Sequence, residues 1–341
     1  MRKLLFLFIA LTCSYWTFGQ SIANYSFSST SDGSLIDISS EATTLLTGNN
    51  DDVASTVQNI GFTFNFMGLS YTQFSINSNG QLRLGSAVIG GSSTSPSATA
   101  AIIAPMGGDN ELNNGASYKV IGISPNRILV VEWNQFYAYW TNITGAGNMQ
   151  ALLYEGSGKI EFIYGDIKNS SSSSVTRSIF ISSSNTATTV GSVTVGATPT
   201  YAAGATPASN TFAATVTIAN LGSIADGSRR VYTFTPPTTA PSAPTALAFS
   251  NLAKTSLTLS WTDNATDESG FSIYKSTDDV NYTLAGTVAE NIATYNATAL
   301  LPGTTYYWKV YAFSEAQTST ALSGTQATIS LVPLNGLYTI N

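Results

Sequence analysis

Apolar and polar residues alternate along this chain in short stretches, and no stretch keeps a helical period. Phe62, Phe64 and Phe66 alternate with Thr63 and Asn65, Gly68 follows as a turn, and Phe74 and Ile76 resume the alternation. A period of two sends successive side chains to opposite faces, so each run predicts a half-buried strand. Asn79-Gly80 predicts a tight turn, because both residues tolerate positive φ, and Leu82 and Leu84 return from it. Ile128 to Trp133 reads as a strand buried on both faces, with Leu129, Val131 and Trp133 on one of them. Met149 to Tyr154 and Ile160 to Tyr164 flank Glu155-Gly156-Ser157-Gly158 as a hairpin. Further strands are expected at Ile179 to Ser182, Val190 to Val195, Thr215 to Ile218 and Arg230 to Phe234. The Ser/Gly/Thr-rich stretches 90–99 and 169–174 read as exposed loops. Many short strands between turn signals predict an all-β chain that begins with a β-sandwich.

The first residues carry an address. Arg2 and Lys3 precede the apolar run Leu4 to Leu11, and small and aromatic residues follow up to Gly19. That arrangement predicts a secretory signal peptide over residues 1–19, and the apolar run is shorter than the roughly 20 residues a spanning helix needs. A second reading makes Cys13 a lipid-modified cysteine, but Ala10-Leu11-Thr12 matches the required small-residue box poorly. Cys13 is the only cysteine, so the mature chain is expected to have neither disulfides nor thiol chemistry. Losing Arg2 and Lys3 takes the net charge from −6 to −8. An acidic surface of low charge density argues against nucleic acid and anionic membranes as partners. No later stretch is apolar enough to span a membrane, and the expected location is extracellular or at the cell surface.

Pro236-Pro237-Thr238-Thr239-Ala240-Pro241 is a stiff extended linker. Beyond it, Leu257, Leu259 and Trp261 alternate, Phe271, Ile273 and Tyr274 form a next strand, and Leu300-Leu301-Pro302-Gly303-Thr304-Thr305-Tyr306 precedes the alternating Tyr306, Trp308, Val310 and Ala312. This segment resembles a fibronectin type III domain. The resemblance implies a seven-stranded Greek-key sandwich in which Trp261 and Trp308 fill the core and the Tyr306 hydroxyl ties back to upstream backbone. No Arg-Gly-Asp tripeptide occurs, so integrin-type recognition has no support.

The earlier segment is similar to the nidogen-like extracellular β domain. The residues that carry this are Gly61-Phe62-Thr63-Phe64-Asn65-Phe66-Met67-Gly68 leading to Ser78-Asn79-Gly80, Ile102-Ile103-Ala104-Pro105 with Asp109 after it, and Val130-Val131-Glu132-Trp133-Asn134 followed by Leu152 to Glu155 and Ile160 to Gly165. No cysteine framework accompanies them. The whole chain resembles bacterial surface proteins in which such a domain precedes fibronectin modules, and neither family carries a catalytic site. The expected organisation is a signal peptide at 1–19, a nidogen-like sandwich at 20–235, a linker at 236–240, a fibronectin type III domain at 241–329, and the start of a further, truncated domain at 330–341. A C-terminal sorting domain beyond residue 341, serving cell-surface attachment, is part of that expectation.

There is no histidine, which removes the usual general base and the commonest metal ligand. With no mature cysteine, Ser-His, Cys-His and zinc constellations are excluded. Glycoside hydrolysis needs only two carboxylates, and the acidic candidates are Asp109, Glu111, Glu132, Glu155 and Glu161. Glu132 and Glu161 sit in strand patterns and are expected to face solvent, Glu155 lies in a hairpin turn, and no spacing singles out a pair. The expectation is a protein that is not an enzyme. Calcium is the ion its loop oxygens suit, with Asp109 and Glu111 as preferred ligands and Asn49-Asn50-Asp51-Asp52 as a second oxygen-rich loop. No other cofactor is expected. Trp133, Phe136, Tyr137, Tyr139 and Trp140 form an aromatic cluster. Trp133 belongs to the core, while Tyr137, Tyr139 and Trp140 lie past the apolar run and are candidates for stacking on an extracellular glycan or protein ligand. A non-catalytic adhesion or matrix-binding protein is the favoured function. The alternative is an accessory region of a secreted carbohydrate-active or proteolytic enzyme whose catalytic domain lies beyond this segment.

Overall fold

The computed structural model describes residues 22, 24–139, 147–167, 174–186, 189–196, 198–204, 206–212, 225–314 and 316–330. The strands before the linker are β1 (Ser26–Gly33), β2 (Thr43–Leu46), β3 (Asn50–Asp51), β4 (Gln58–Phe66), β5 (Leu69–Ile76), β6 (Leu82–Leu84), β7 (Ile102–Gly107), β8 (Glu111–Leu112) and β9 (Ala116–Ile121). They continue with β10 (Ile128–Tyr137), β11 (Gly147–Tyr154), β12 (Ile160–Tyr164), β13 (Val175–Ser182), β14 (Val190–Thr194), β15 (Thr200–Ala203), β16 (Ser209–Phe212) and β17 (Arg229–Thr235). No helix occurs among the described residues, and none is long and apolar enough to cross a membrane. The signal peptide, Cys13, Trp140, the strand expected at Thr215 to Ile218 and residues 331–341 lie outside the described residues.

Two sheets face each other. The first runs β1-β17-β12-β11-β10-β8-β3, with β9 on β10 and β2 on β9; the second runs β15-β14-β13-β7-β6-β5-β4, with β16 on β13. Their inner faces meet in one core, to which the first sheet brings Trp133, Phe162, Tyr232 and Phe234 and the second brings Phe64, Phe66, Phe74 and Ile181. The alternation in the sequence is the reason: Phe62, Phe64 and Phe66 are buried while Thr63 is exposed, as period-two patterning requires. Trp133 spans the layers, its indole N–H donating to the Asn77 carbonyl at 2.9 Å.

The 128–133 run is buried on both faces because a strap covers the outer one. Residues 34–42, between β1 and β2, lay Leu35, Ile36, Ile38 and Ala42 over Val130, Leu152 and Ile163. Glu132 therefore does not face solvent as its strand position suggested; it is 8% exposed beneath the strap. The turn at Asn79-Gly80 is also wider than expected. Residues 77–81 form a five-residue loop closed by Asn77 N–H to Gln81 O at 3.0 Å, and only Gly80 takes positive φ, at 75°. The 90–99 loop is irregular and partly exposed, but it is pinned by Asn77 Nδ2 to the Gly90 and Ser93 carbonyls, Asn79 Nδ2 to Gly91 and Gln81 Nε2 to Ser95.

After the linker come β18 (Thr245–Ser250), β19 (Leu257–Thr262), β20 (Gly270–Ser276), β21 (Thr283–Ala289), β22 (Thr294–Ala297), β23 (Thr305–Phe313) and β24 (Leu322–Ala327). They form sheets β18-β19-β22 and β21-β20-β23-β24, a seven-stranded sandwich as expected. Trp261, Phe271, Trp308 and Val310 fill a second, separate core. Tyr306 does what its position implied: its hydroxyl accepts the Leu301 N–H at 2.9 Å. Replacing Tyr306 with phenylalanine leaves that amide without its partner, so the domain should lose about 1–2 kcal/mol, read as a lower denaturant midpoint with an unchanged slope.

Candidate functional site

One end of the first sheet collects most of the chemistry that the sequence singled out. Across β3, β8 and β10, Asn50 pairs with Leu112 and Leu112 with Phe136, while Asp51 pairs with Glu111 and Glu111 with Tyr137. Directly opposed residues share a face, so Asp51, Glu111 and Tyr137 form one row on the face opposite to that from which Leu112 and Phe136 enter the core. A β-bulge between Trp133 and Phe136, with Gln135 at φ 51°, re-aims the end of β10 and makes this row. Asp51 is exposed, but Glu111 is 7% and Tyr137 only 3% exposed. Tyr137 therefore offers no open ring for stacking, a correction to its expected role. Tyr139, two residues on, is half-buried and packs at the edge of the core.

The carboxylates that converge are Asp51, Asp52 and Asp109, each with an oxygen within 4.8 Å of the others and all three exposed. Glu111 is outside this group because its side chain lies in the buried row beside Tyr137. Two loops that the sequence treated as alternatives are thus one locus. Oxygens bound to a single calcium ion at 2.3–2.6 Å lie within about 5 Å of one another, so the spacing suits one such ion. Three hard oxygens with no nitrogen or sulfur donor also suit calcium over the transition metals. Partial burial first, and then the negative charges of Asp52 and Asp109, push the Asp51 carboxyl above its ordinary range.

A buried polar chain holds the locus in shape. Asn79 Nδ2 donates to Asp52 Oδ1 at 2.9 Å, and its Oδ1 accepts the Asn110 N–H at 2.8 Å. Arg177, 6% exposed, donates to Asn110 Oδ1, to the Asp109 carbonyl and to the Thr176 carbonyl. Burial pulls the Arg177 guanidinium down to about 10, against the opposing pull of Asp109. The sequence reading missed Asn79 and Arg177 in this role. Asn79 looked like an ordinary turn residue, and Arg177 lies on β13, remote in sequence from both loops.

The other acidic candidates lie elsewhere. Glu155 pairs with Arg127 at 2.5 Å, and that guanidinium holds its carboxyl down at about 2. Glu161 accepts from Lys159 Nζ at 2.8 Å and from the Tyr154 hydroxyl. Glu132 is bonded by Asn148 and Gln150 under the strap.

Residues 24–236 match the family described as NIDO related. The chain belongs to the NIDO-related family. The NIDO-related domain is followed by a match to the fibronectin type III domain over residues 242–325. No curated protein matches the sequence. Among solved structures, the chain is similar to FN3tt, at 22% identity over 27% of this chain and 97% of that one, with a TM-score of 0.25. It is also similar to an Fn3-like protein from Clostridium thermocellum, at 24% identity over 28% of this chain and 99% of that one, with a TM-score of 0.24. The NIDO-related domain and its fibronectin partner fit an extracellular architecture, and both are typically non-catalytic.

Proposed function

We propose that this chain is a secreted or cell-surface, non-catalytic adhesion or matrix-binding protein, with the NIDO-related domain as binder and the fibronectin type III domain as spacer. The observation that carries this reading is the convergence of Asp51, Asp52 and Asp109 beside the aromatic end of β10. Calcium held there would order the two loops and complete a surface on which Tyr139, together with Trp140, contacts an extracellular glycan or protein. A ligand that binds only the folded chain stabilises it by mass action, so calcium at about 100 times its Kd should add about 2.7 kcal/mol. The test is thermal melting of the full chain with calcium or with chelator, followed by a glycan array under both conditions. A calcium-dependent rise in Tm that is absent in Asp52→Asn/Asp109→Asn, with array binding lost on Tyr139→Ala/Trp140→Ala, supports a calcium-dependent lectin-like adhesin. An unchanged Tm removes calcium from the proposal. Silence on the array removes the glycan and leaves protein ligands.

A further inference from the structure

The strap over the outer face of the first sheet borders a second site, a half-open cleft. Gln150 clamps it: the Ile36 N–H donates to Gln150 Oε1 at 2.9 Å, and Gln150 Nε2 donates to the Ile36 carbonyl at 2.8 Å. The strap is anchored further along by Lys119, whose Nζ donates to the Ser40 carbonyl at 2.9 Å. Between strap and strands lies a cavity of about 380 Å³, within the range of roughly 300–1,000 Å³ typical of small-ligand sites. Its polar lining includes Asp37, Ser39, Thr44, Ser117, Glu132 and Asn134. Ile38 and Ala42 of the strap supply an apolar wall.

Glu132 makes this cavity chemically specific. Its carboxylate accepts one bond per oxygen, from Asn148 Nδ2 at 2.6 Å and from Gln150 Nε2 at 2.9 Å. A carboxylate has about four acceptor positions, so roughly half of its capacity remains open. Both donors are neutral amides, and among the described residues no Lys or Arg lines the cavity or forms an ion pair with Glu132. A buried carboxylate without a counter-charge is costly. Burial, seconded by the nearby Asp37 charge, pushes the Glu132 carboxyl above its ordinary range, although Gln150, Asn148 and Arg229 pull the other way. What Glu132 lacks is a cation in contact: Arg229 acts on it from beyond ion-pair distance, and Lys119, bonded to the strap, acts on Asp37.

We infer that the cleft beneath the 34–42 strap is a receptor for an organic cation, the ammonium or guanidinium of a lysine or arginine side chain or of a small free amine. The charged head sits on Glu132 with Asp37 at the rim. The alkyl stem lies along Ile38 and Ala42. The apolar wall favours such a ligand over a hydrated metal ion. The open acceptor positions of Glu132, with no cation in ion-pair contact among the described residues, favour it over a neutral sugar. This site is separate from the Asp51/Asp52/Asp109 locus, and its test does not involve calcium.

The experiment is calorimetric titration of the full chain, in chelator, with the capped amino acids N-acetyl-lysine methylamide and N-acetyl-arginine methylamide. Cadaverine serves as the free amine and N-acetyl-norleucine methylamide as the neutral control. Binding of a cationic probe but not of the norleucine compound is expected, weakened at least about tenfold in Glu132→Gln. Asp37→Asn, on the exposed strap, should weaken it by a smaller factor and serves as the second variant should Glu132→Gln fail to fold. Tighter binding of the capped residues than of cadaverine assigns the cation to a protein partner; the reverse assigns it to a small amine. Failure of every cationic probe to bind, equal binding of the norleucine compound, or unchanged affinity in both variants overturns the inference.

Discussion

Replacing Trp133 with alanine should lower the melting transition of the NIDO-related domain by about 10 °C and leave the fibronectin type III transition in place. Trp133 is fully buried between the two sheets. Truncating such a side chain costs about 3–5 kcal/mol, from lost burial and the cavity left behind. The indole N–H bond to the Asn77 carbonyl is lost as well, which strips a partner from the loop that opens toward the candidate calcium locus. The two domains have separate cores. They also touch: the Phe313 ring packs on Gly68, and Gln317 Nε2 donates to the Gly156 carbonyl at 3.3 Å. Differential scanning calorimetry checks the prediction. A single transition that moves as a whole would show that this contact couples the domains, and that the cores are not energetically independent.

Gly80→Ala is the second large effect, and it links stability to the site. Gly80 sits at φ 75°, and a Cβ there would lie 2.2 Å from the Met106 carbonyl oxygen. The obstacle is backbone of a fully buried strand, so it cannot rotate away as a side chain would. Left-handed φ alone costs an L-residue about 1–2 kcal/mol, and overpacking a core adds about 1–3 kcal/mol. The preceding residue, Asn79, holds Asp52 and Asn110 in register, so the shift that relieves the clash also moves the carboxylates. The expected result is a loss of about 2–5 kcal/mol in denaturant unfolding together with a loss of the calcium-dependent rise in Tm. Retention of the full calcium response by a destabilised Gly80→Ala chain would show that Asn79 is not what aligns the locus.

Much of this architecture was legible in the residues. Alternation at Phe62, Phe64 and Phe66 named strand and buried face together, because a strand in a two-layer sandwich has one inner and one outer side. The Leu300-to-Tyr306 turn announced the tyrosine bond of the second sandwich. Two oxygen-rich loops, 49–52 and 107–111, were legible as candidates for a hard cation. Their union was not, since residues about 60 positions apart met only through the pairing of β3 with β8. Tyr137 looked available because it follows an apolar run, yet the bulge after Trp133 turned it into a buried row. Glu132 looked solvent-facing because strand periodicity specifies opposite faces and says nothing about what lies against the outer one.

The sequence by itself determined an all-β chain, its two sandwiches, their core residues and the absence of histidine. These follow from composition and local periodicity, which need no knowledge of distant neighbours. Only the tertiary structure decided which carboxylates share a locus, that Tyr137 is buried, and that a strap covers Glu132 in a cleft lined by no Lys or Arg among the described residues. Those outcomes depend on sheet order and on a loop crossing a sheet face, and both are set by contacts between segments far apart in the chain.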